Sequence, residues 1–284
     1  MNTIKAISIF SLLSIFFFSA IGQHKNAKGT LFIIGGGTAG DTLQHNILKE
    51  ANWQKHDGIV VVTLASSIAE ESFEYNNDAF KKFTGEESIH FDSASIHDAK
   101  KIEALKKAKI IYLGGGAQDR FMHLIENTQI GKIISEAYTK GALIAGTSAG
   151  AAVMSKMMIT GNGLIDTVYA ATFEIMKKGN LEISTGLGLL DSVIIDQHFV
   201  VRSRYNRLLS AQFEFPSYQC IGIDESTAII IKNNVARVTG EGQVIVLNTA
   251  RLNHITHTNS FNGSASISIF TAGNTFPIKD KASD

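Results

Sequence analysis

Ala142-Leu143-Ile144-Ala145 followed by Gly146-Thr147-Ser148-Ala149-Gly150 reads as a short buried strand running into a serine flanked by small residues. Ala151-Ala152-Val153-Met154 then offers a helix start. A strand that ends in G-x-S-x-G before a helix is the sequence form of a nucleophile elbow, a turn so sharp that only small neighbours fit. The turn exposes the serine hydroxyl. The helix dipole and the Ala149 N–H are then placed where an oxyanion would develop. A plain strand-to-helix turn with Ser148 as its N-cap fits the same five residues, so the remainder of the chain has to decide.

Outward from this stretch, apolar runs alternate with segments of helical spacing. Thr30 to Ile34 ends in Gly35-Gly36-Gly37, Ile59 to Thr63 is a second run, and Lys109 to Leu113 ends in Gly114-Gly115-Gly116. Val193 to Asp196 is another. Asp98 to Lys107 and Arg120 to Lys140 carry helical spacing between them. Strands that are apolar throughout and separated by helices predict an α/β fold, a mainly parallel sheet flanked by helices. The stretch from Ile221 to Val246 is β-rich, with hairpin turns expected at Asn233-Asn234 and Gly240-Glu241-Gly242. Beyond about Leu252 the sequence turns polar. No linker or repeat divides residues 23–284, which are expected to form a single domain.

Composition narrows the function classes. The chain has 284 residues, 44% of them hydrophobic, and its 26 Lys+Arg balance 26 Asp+Glu. Nothing in that balance predicts a nucleic-acid surface. Met1 to Lys5 is basic, Ala6 to Phe18 is apolar and uncharged, and Ser19-Ala20-Ile21-Gly22 supplies small residues, so residues 1–22 read as a secretory signal cleaved after Gly22. The apolar core falls short of the roughly 20 residues of a membrane span. The expected product is exported, periplasmic or extracellular, without stable membrane insertion. Cys220 is the single cysteine, so no intrachain disulfide forms, and its apolar setting predicts an inert thiol.

A serine nucleophile needs a base, and the base an orienting acid. Of nine histidines, His198 follows an apolar run and should sit at a strand end, on the sheet edge that carries Ser148. Asp196, Gln197, Arg202, Arg204 and Arg207 surround it. Gly222-Ile223-Asp224-Glu225 offers two acids, of which strand alternation allows only one to face the site, and the spacing leaves the choice open. The glycine loop before Gln118 permits close backbone approach, so a Gly115 or Gly116 N–H can join that of Ala149 in an oxyanion hole. Neither this loop nor Gly35-Gly36-Gly37 has the spacing of a nucleotide-binding fingerprint, and there is no phosphate-loop lysine.

Five segments in order carry a family resemblance: Tyr112 to Gln118, Gly146 to Ser155, Gly186 to Leu190, Asp196-Gln197-His198-Phe199 with Arg202, Arg204 and Arg207, and Gly222 to Ala228. Together they resemble the cyanophycinases, serine peptidases related to aspartyl dipeptidase and to class I glutamine amidotransferases. The resemblance implies a glutamine amidotransferase-like fold and a Ser148-His198-Glu225 triad, with no metal or cofactor, and it favours Glu225 over Asp224. It further implies a polypeptide substrate rich in aspartate and arginine, release of β-Asp-Arg dipeptides, and a homodimer. Gln118, Asp196, Gln197, Arg202, Arg204 and Arg207 become the expected substrate shell, the arginines suiting carboxylates and Asp196 a substrate guanidinium. An aspartyl or isoaspartyl dipeptidase and a non-catalytic binding protein of the same fold are the alternatives.

Overall fold

Strand β1 (Thr30–Ile34) is buried along its whole length. Leu31 and Ile33 pack into one apolar cluster, Phe32 and Ile34 into another, as the two-residue period of a strand requires. A strand without a polar face needs cover on both sides. That cover is present in the computed structural model, which describes residues 27–168, 170–252 and 260–279. Helices α1 (Asp41–Glu50) and α2 (Ala69–Thr84) place Leu43, Ile47 and Phe80 against the Phe32 face. On the Leu31 face, α3 (Ala99–Lys107) contributes Leu105, and the pair α4 (Gln118–Ile125) and α5 (Ile130–Lys140) contribute Phe121 and Ile134.

The expected single helix over Arg120 to Lys140 is thus two. The Thr128 hydroxyl donates to the Ile125 carbonyl and accepts from the Ile130 N–H, so one threonine caps the break from both sides.

Strands β2 (Ile59–Val62), β3 (Ile89–Phe91), β4 (Ile110–Leu113) and β5 (Leu143–Thr147) join β1 in parallel, in the order β1-β5-β4-β2-β3. A one-turn helix α6 (Ala149–Ala152) leads from β5 into the antiparallel pair β6 (Met157–Gly163) and β7 (Leu181–Thr185). Strand β8 (Val193–Gln197) precedes α7 (Tyr205–Glu214) and β9 (Gln219–Ile223). Next come β10 (Thr227–Lys232) and β11 (Val235–Gly240), then β12 (Val244–Leu252), β13 (Gly263–Phe270) and β14 (Thr275–Pro277). β10, β11 and β14 extend the parallel core antiparallel to an eight-stranded sheet, while β13-β12-β9-β8 form a second sheet of four. The β-rich C-terminal part is therefore divided between both sheets.

Asn233 and Asn234, at φ +51° and +59°, close the expected β10–β11 hairpin. Gly240 to Gly242 instead carries the chain from the first sheet into the second, because β11 and β12 pair with different partners. The connection from β9 to β10 crosses between the same sheets, and Glu225 lies in it. Strand β8, too, belongs to the second sheet, so His198 does not share a sheet with Ser148 as expected. The two sheets meet in one apolar cluster that includes Ile33, Ile195, Ile221 and Val244. Periodicity assigns a strand to a face, not to a sheet. Cys220 is fully buried in the second sheet, and burial pushes its thiol up. The signal segment, residues 1–22, lies outside the described residues.

Candidate active site

Ser148 follows β5 with φ +53° and ψ −113°, a conformation that costs a non-glycine residue of order 1–3 kcal/mol. Its surroundings enforce it. The Ser148 N–H donates to the Ile34 carbonyl at 3.2 Å, and its carbonyl accepts from Ala151 and Ala152. A side chain on Gly150 would meet the Leu113 carbonyl at 2.0 Å, which explains the glycine two positions after the serine. The helix expected after the elbow is only α6, four residues long, so backbone amides rather than a macrodipole face the serine.

The imidazole of His198 completes the contact. His198 Nε2 lies 2.8 Å from Ser148 Oγ, and Nδ1 lies 2.5 Å from Glu225 Oε1. With Nδ1–H donated to the carboxylate, Nε2 is left to accept the serine proton. His198 also has positive φ, +50°, and its N–H donates to the Gly35 carbonyl at 2.6 Å. Asp224, the other acid weighed from sequence, turns elsewhere. Its Oδ1 accepts from the Val200 and Val201 N–H groups at 3.1 and 3.0 Å, tying down the segment that follows the histidine.

Burial is the main cause holding the His198 pKa below the ordinary imidazole range. The hydrogen bond to Glu225 opposes it, and the cations Arg202 and Arg204 act with it. A base of this kind works when neutral, so kcat/KM should be full above the His198 pKa and fall as pH drops through it. Replacing Arg202 with methionine removes a lowering charge and raises that pKa. The acid limb of the kcat/KM profile is therefore expected to move to higher pH, and a limb that stayed in place would contradict the arrangement.

The glycines after β1, weighed from sequence only as a nucleotide loop, lie against this pair. A Cβ on Gly36 would stand 2.3 Å from His198 Cε1, and one on Gly37 would stand 2.8 Å from the Glu225 Cβ. Gly36 has φ +103°, so alanine there is strained as well as crowded. Gly36→Ala is expected to displace the imidazole and lower kcat about a hundred-fold. Steady-state kinetics on the folded variant checks this, and retained kcat would show that the ring has room to yield. The sequence signal was available: the triple glycine ending β1 matches the one ending β4.

Gly115 lies beside the serine, where an added Cβ would come within 3.5 Å of Ser148 Cβ. The N–H groups of Gly115, Gly116 and Ala149 donate no hydrogen bond among the described residues. A cavity of about 300 Å³ opens at Ser148 and His198, and Gly116, Gln118, Gln197, Arg202, Arg204 and Arg207 line it.

Two expectations about the shell need correction. Asp196 is fully buried, and its carboxylate is already bound by Arg207 through Nε at 2.9 Å and through Nη2. It also accepts the Gln197 N–H, and Arg204 Nη1 lies 3.5 Å away. Asp196 therefore has no place for a substrate guanidinium. Arg204 and Arg207 are 3% and 2% exposed; they hold the floor, Arg204 donating to the Gln197 carbonyl at 2.5 Å and to its Oε1 at 2.8 Å. Arg202 alone of the three is exposed.

The Peptidase family S51 model matches residues 31–239. The chain belongs to that family. Over 153 residues it is 38% identical to a cyanophycinase from Trichormus variabilis, covering 53% of this chain and 49% of that protein. The chain thus spans about half the length of that relative. A cyanophycinase from Synechococcus elongatus is 29% identical over 234 residues, 79% of this chain and 70% of the relative. The crystal structure of a peptidase from an acI-B1 actinobacterium superposes with a TM-score of 0.64 at 20% identity, covering 89% of this chain and 98% of that one. The shared architecture agrees with the expected glutamine amidotransferase-like fold.

Proposed function

We propose that this S51 family member is a serine-type exopeptidase that hydrolyses cyanophycin, an aspartate backbone bearing arginine on its side-chain carboxyls, to β-Asp-Arg dipeptides. The observation that carries the reading is the continuous hydrogen-bonded line from Ser148 Oγ through His198 to Glu225. Ser148 attacks the peptide carbonyl as its proton passes to His198 Nε2. Glu225 steadies the resulting imidazolium. The N–H of Ala149, with that of Gly115 or Gly116, receives the oxyanion, and His198 returns the proton to the leaving amine. Water then attacks the acyl-serine by the same path and frees the carboxylate.

Cavity size supports removal of short pieces, since about 300 Å³ has room for a dipeptide-sized group. Arg202, exposed at the cavity, suits a backbone carboxylate. The test is incubation of the protein with insoluble cyanophycin and mass analysis of what dissolves. Release of β-Asp-Arg by the native protein and its loss in Ser148→Ala is the expected result; an active Ser148→Ala protein would falsify the nucleophile.

The proposal includes export with cleavage after Gly22, resting on the basic, apolar and small-residue order of Met1 to Gly22. Intact mass of the protein recovered from its host compartment decides it, an unprocessed cytoplasmic chain being the contrary outcome. A homodimer is proposed from the family resemblance, and light scattering of a monomer at working concentration would refute it.

A further inference from the structure

We propose that Asp119 is the specificity-determining residue that receives the guanidinium of the substrate's arginine, a role the sequence reading had given to Asp196. The inference rests on the proposed peptidase reading and names which side chain selects its substrate. Asp119 is the sole carboxylate among the residues lining the cavity that opens at Ser148. It is exposed, and among the described residues it makes neither a hydrogen bond nor an ion pair.

Its neighbour Gln118 adds a second acceptor. Both donors of the Gln118 amide are taken, by the Ile159 carbonyl at 2.9 Å and the Thr160 carbonyl at 2.8 Å. The amide orientation is thereby fixed, and Oε1 accepts nothing from the described residues. Gln118 and Asp119, consecutive in the first turn of α4, both line the cavity, one with a free amide oxygen and the other with a carboxylate.

The segment after β8 offers the reverse. Arg207 is paired with the buried Asp196, Arg204 lies beside that pair, and the exposed Arg202 brings a positive charge to the cavity. A ligand with carboxylates alone would have no use for the α4 side of this cavity. One carrying a carboxylate and a guanidinium matches both sides, and a guanidinium donates to a carboxylate and a carbonyl oxygen together. Position in the first turn of α4 would by itself favour an acidic residue, but that role predicts an effect on stability and none on ligand choice.

Calorimetric titration separates the two. β-Aspartyl-arginine and β-aspartyl-citrulline, which differ in charge and hardly in shape, are each titrated into the full-length Ser148→Ala protein. The same is done with Asp119→Asn and Asp119→Glu added to that background. The arginine dipeptide is expected to bind about ten-fold more tightly than the citrulline dipeptide to Ser148→Ala. Asp119→Asn should bring that ratio to about one, and Asp119→Glu should keep most of it. An arginine-to-citrulline ratio unchanged by Asp119→Asn overturns the assignment, as does a ratio near one before any change at Asp119. Because binding is read without turnover, failure of the native protein to dissolve cyanophycin removes the proposed reaction and leaves the subsite to stand or fall on these ratios.

Discussion

Replacing Ser148 with alanine is expected to lower kcat by at least about a thousand-fold while leaving the fold in place. The substitution removes one oxygen from an elbow whose shape depends on its neighbours. Alanine meets the same φ of +53° no worse than serine does. His198 keeps Glu225 at 2.5 Å, so the rest of the line survives. What residual rate remains comes from the backbone donors and substrate binding. Glu225→Gln should be a milder but still severe loss, because an amide at that position lets the imidazole adopt the wrong tautomer. The double variant Ser148→Ala, Glu225→Gln should be hardly slower than Ser148→Ala, since the three side chains act as a unit. Single-turnover kinetics on a soluble peptide substrate checks both statements. The Ser148 side chain makes no capping hydrogen bond to α6, so if Ser148→Ala kept a tenth of native kcat the nucleophile would have to be sought elsewhere.

The parallel core was legible because its strands are apolar throughout, and helical spacing separates them. Ser148 was legible because strand, small residues and helix start follow one another within Ala142 to Met154. His198 was reached by its place after an apolar run and Glu225 through the family resemblance, yet the sheet of His198 was misassigned. An apolar run such as Val193 to Ile195 carries no mark of which neighbour it pairs with; that depends on β9, beyond α7 in sequence, and on the pairing of β9 in turn with β12. The roles of charged residues were the least legible. Asp196 and Arg207 are eleven positions apart, and nothing in a chain of residue names distinguishes guanidiniums held by their own protein from guanidiniums offered to a ligand. Asp119 passed unnoticed for the opposite reason: an acid in the first turn of a helix is ordinary, and only the cavity around it makes it conspicuous.

That ambiguity at Asp196 leads to the second large effect. Asp196→Asn is expected to destabilise the protein by about 3–5 kcal/mol, because it leaves the buried Arg207 guanidinium without its counter-charge. Asp196 is 0% exposed and Arg207 2%, so water cannot substitute for the lost partner. Arg207 bonds both carboxylate oxygens, one through Nε and one through Nη2. An asparagine amide would present its NH₂ group to one of these donors. At this chain length the deficit corresponds to a fall in Tm of roughly 10 °C. Exchanging Asp196 for leucine and Arg207 for methionine together should cost less than either change alone, since the pair's burial penalty then disappears with the pair. Arg204 would keep its bonds to Gln197, so the peptide leading into His198 stays held. Had Asp196 bound the substrate's guanidinium, Asp196→Asn would change the preference for arginine and leave Tm alone. Thermal unfolding of the single and double variants, read beside arginine preference, therefore tells a structural anchor from a recognition residue.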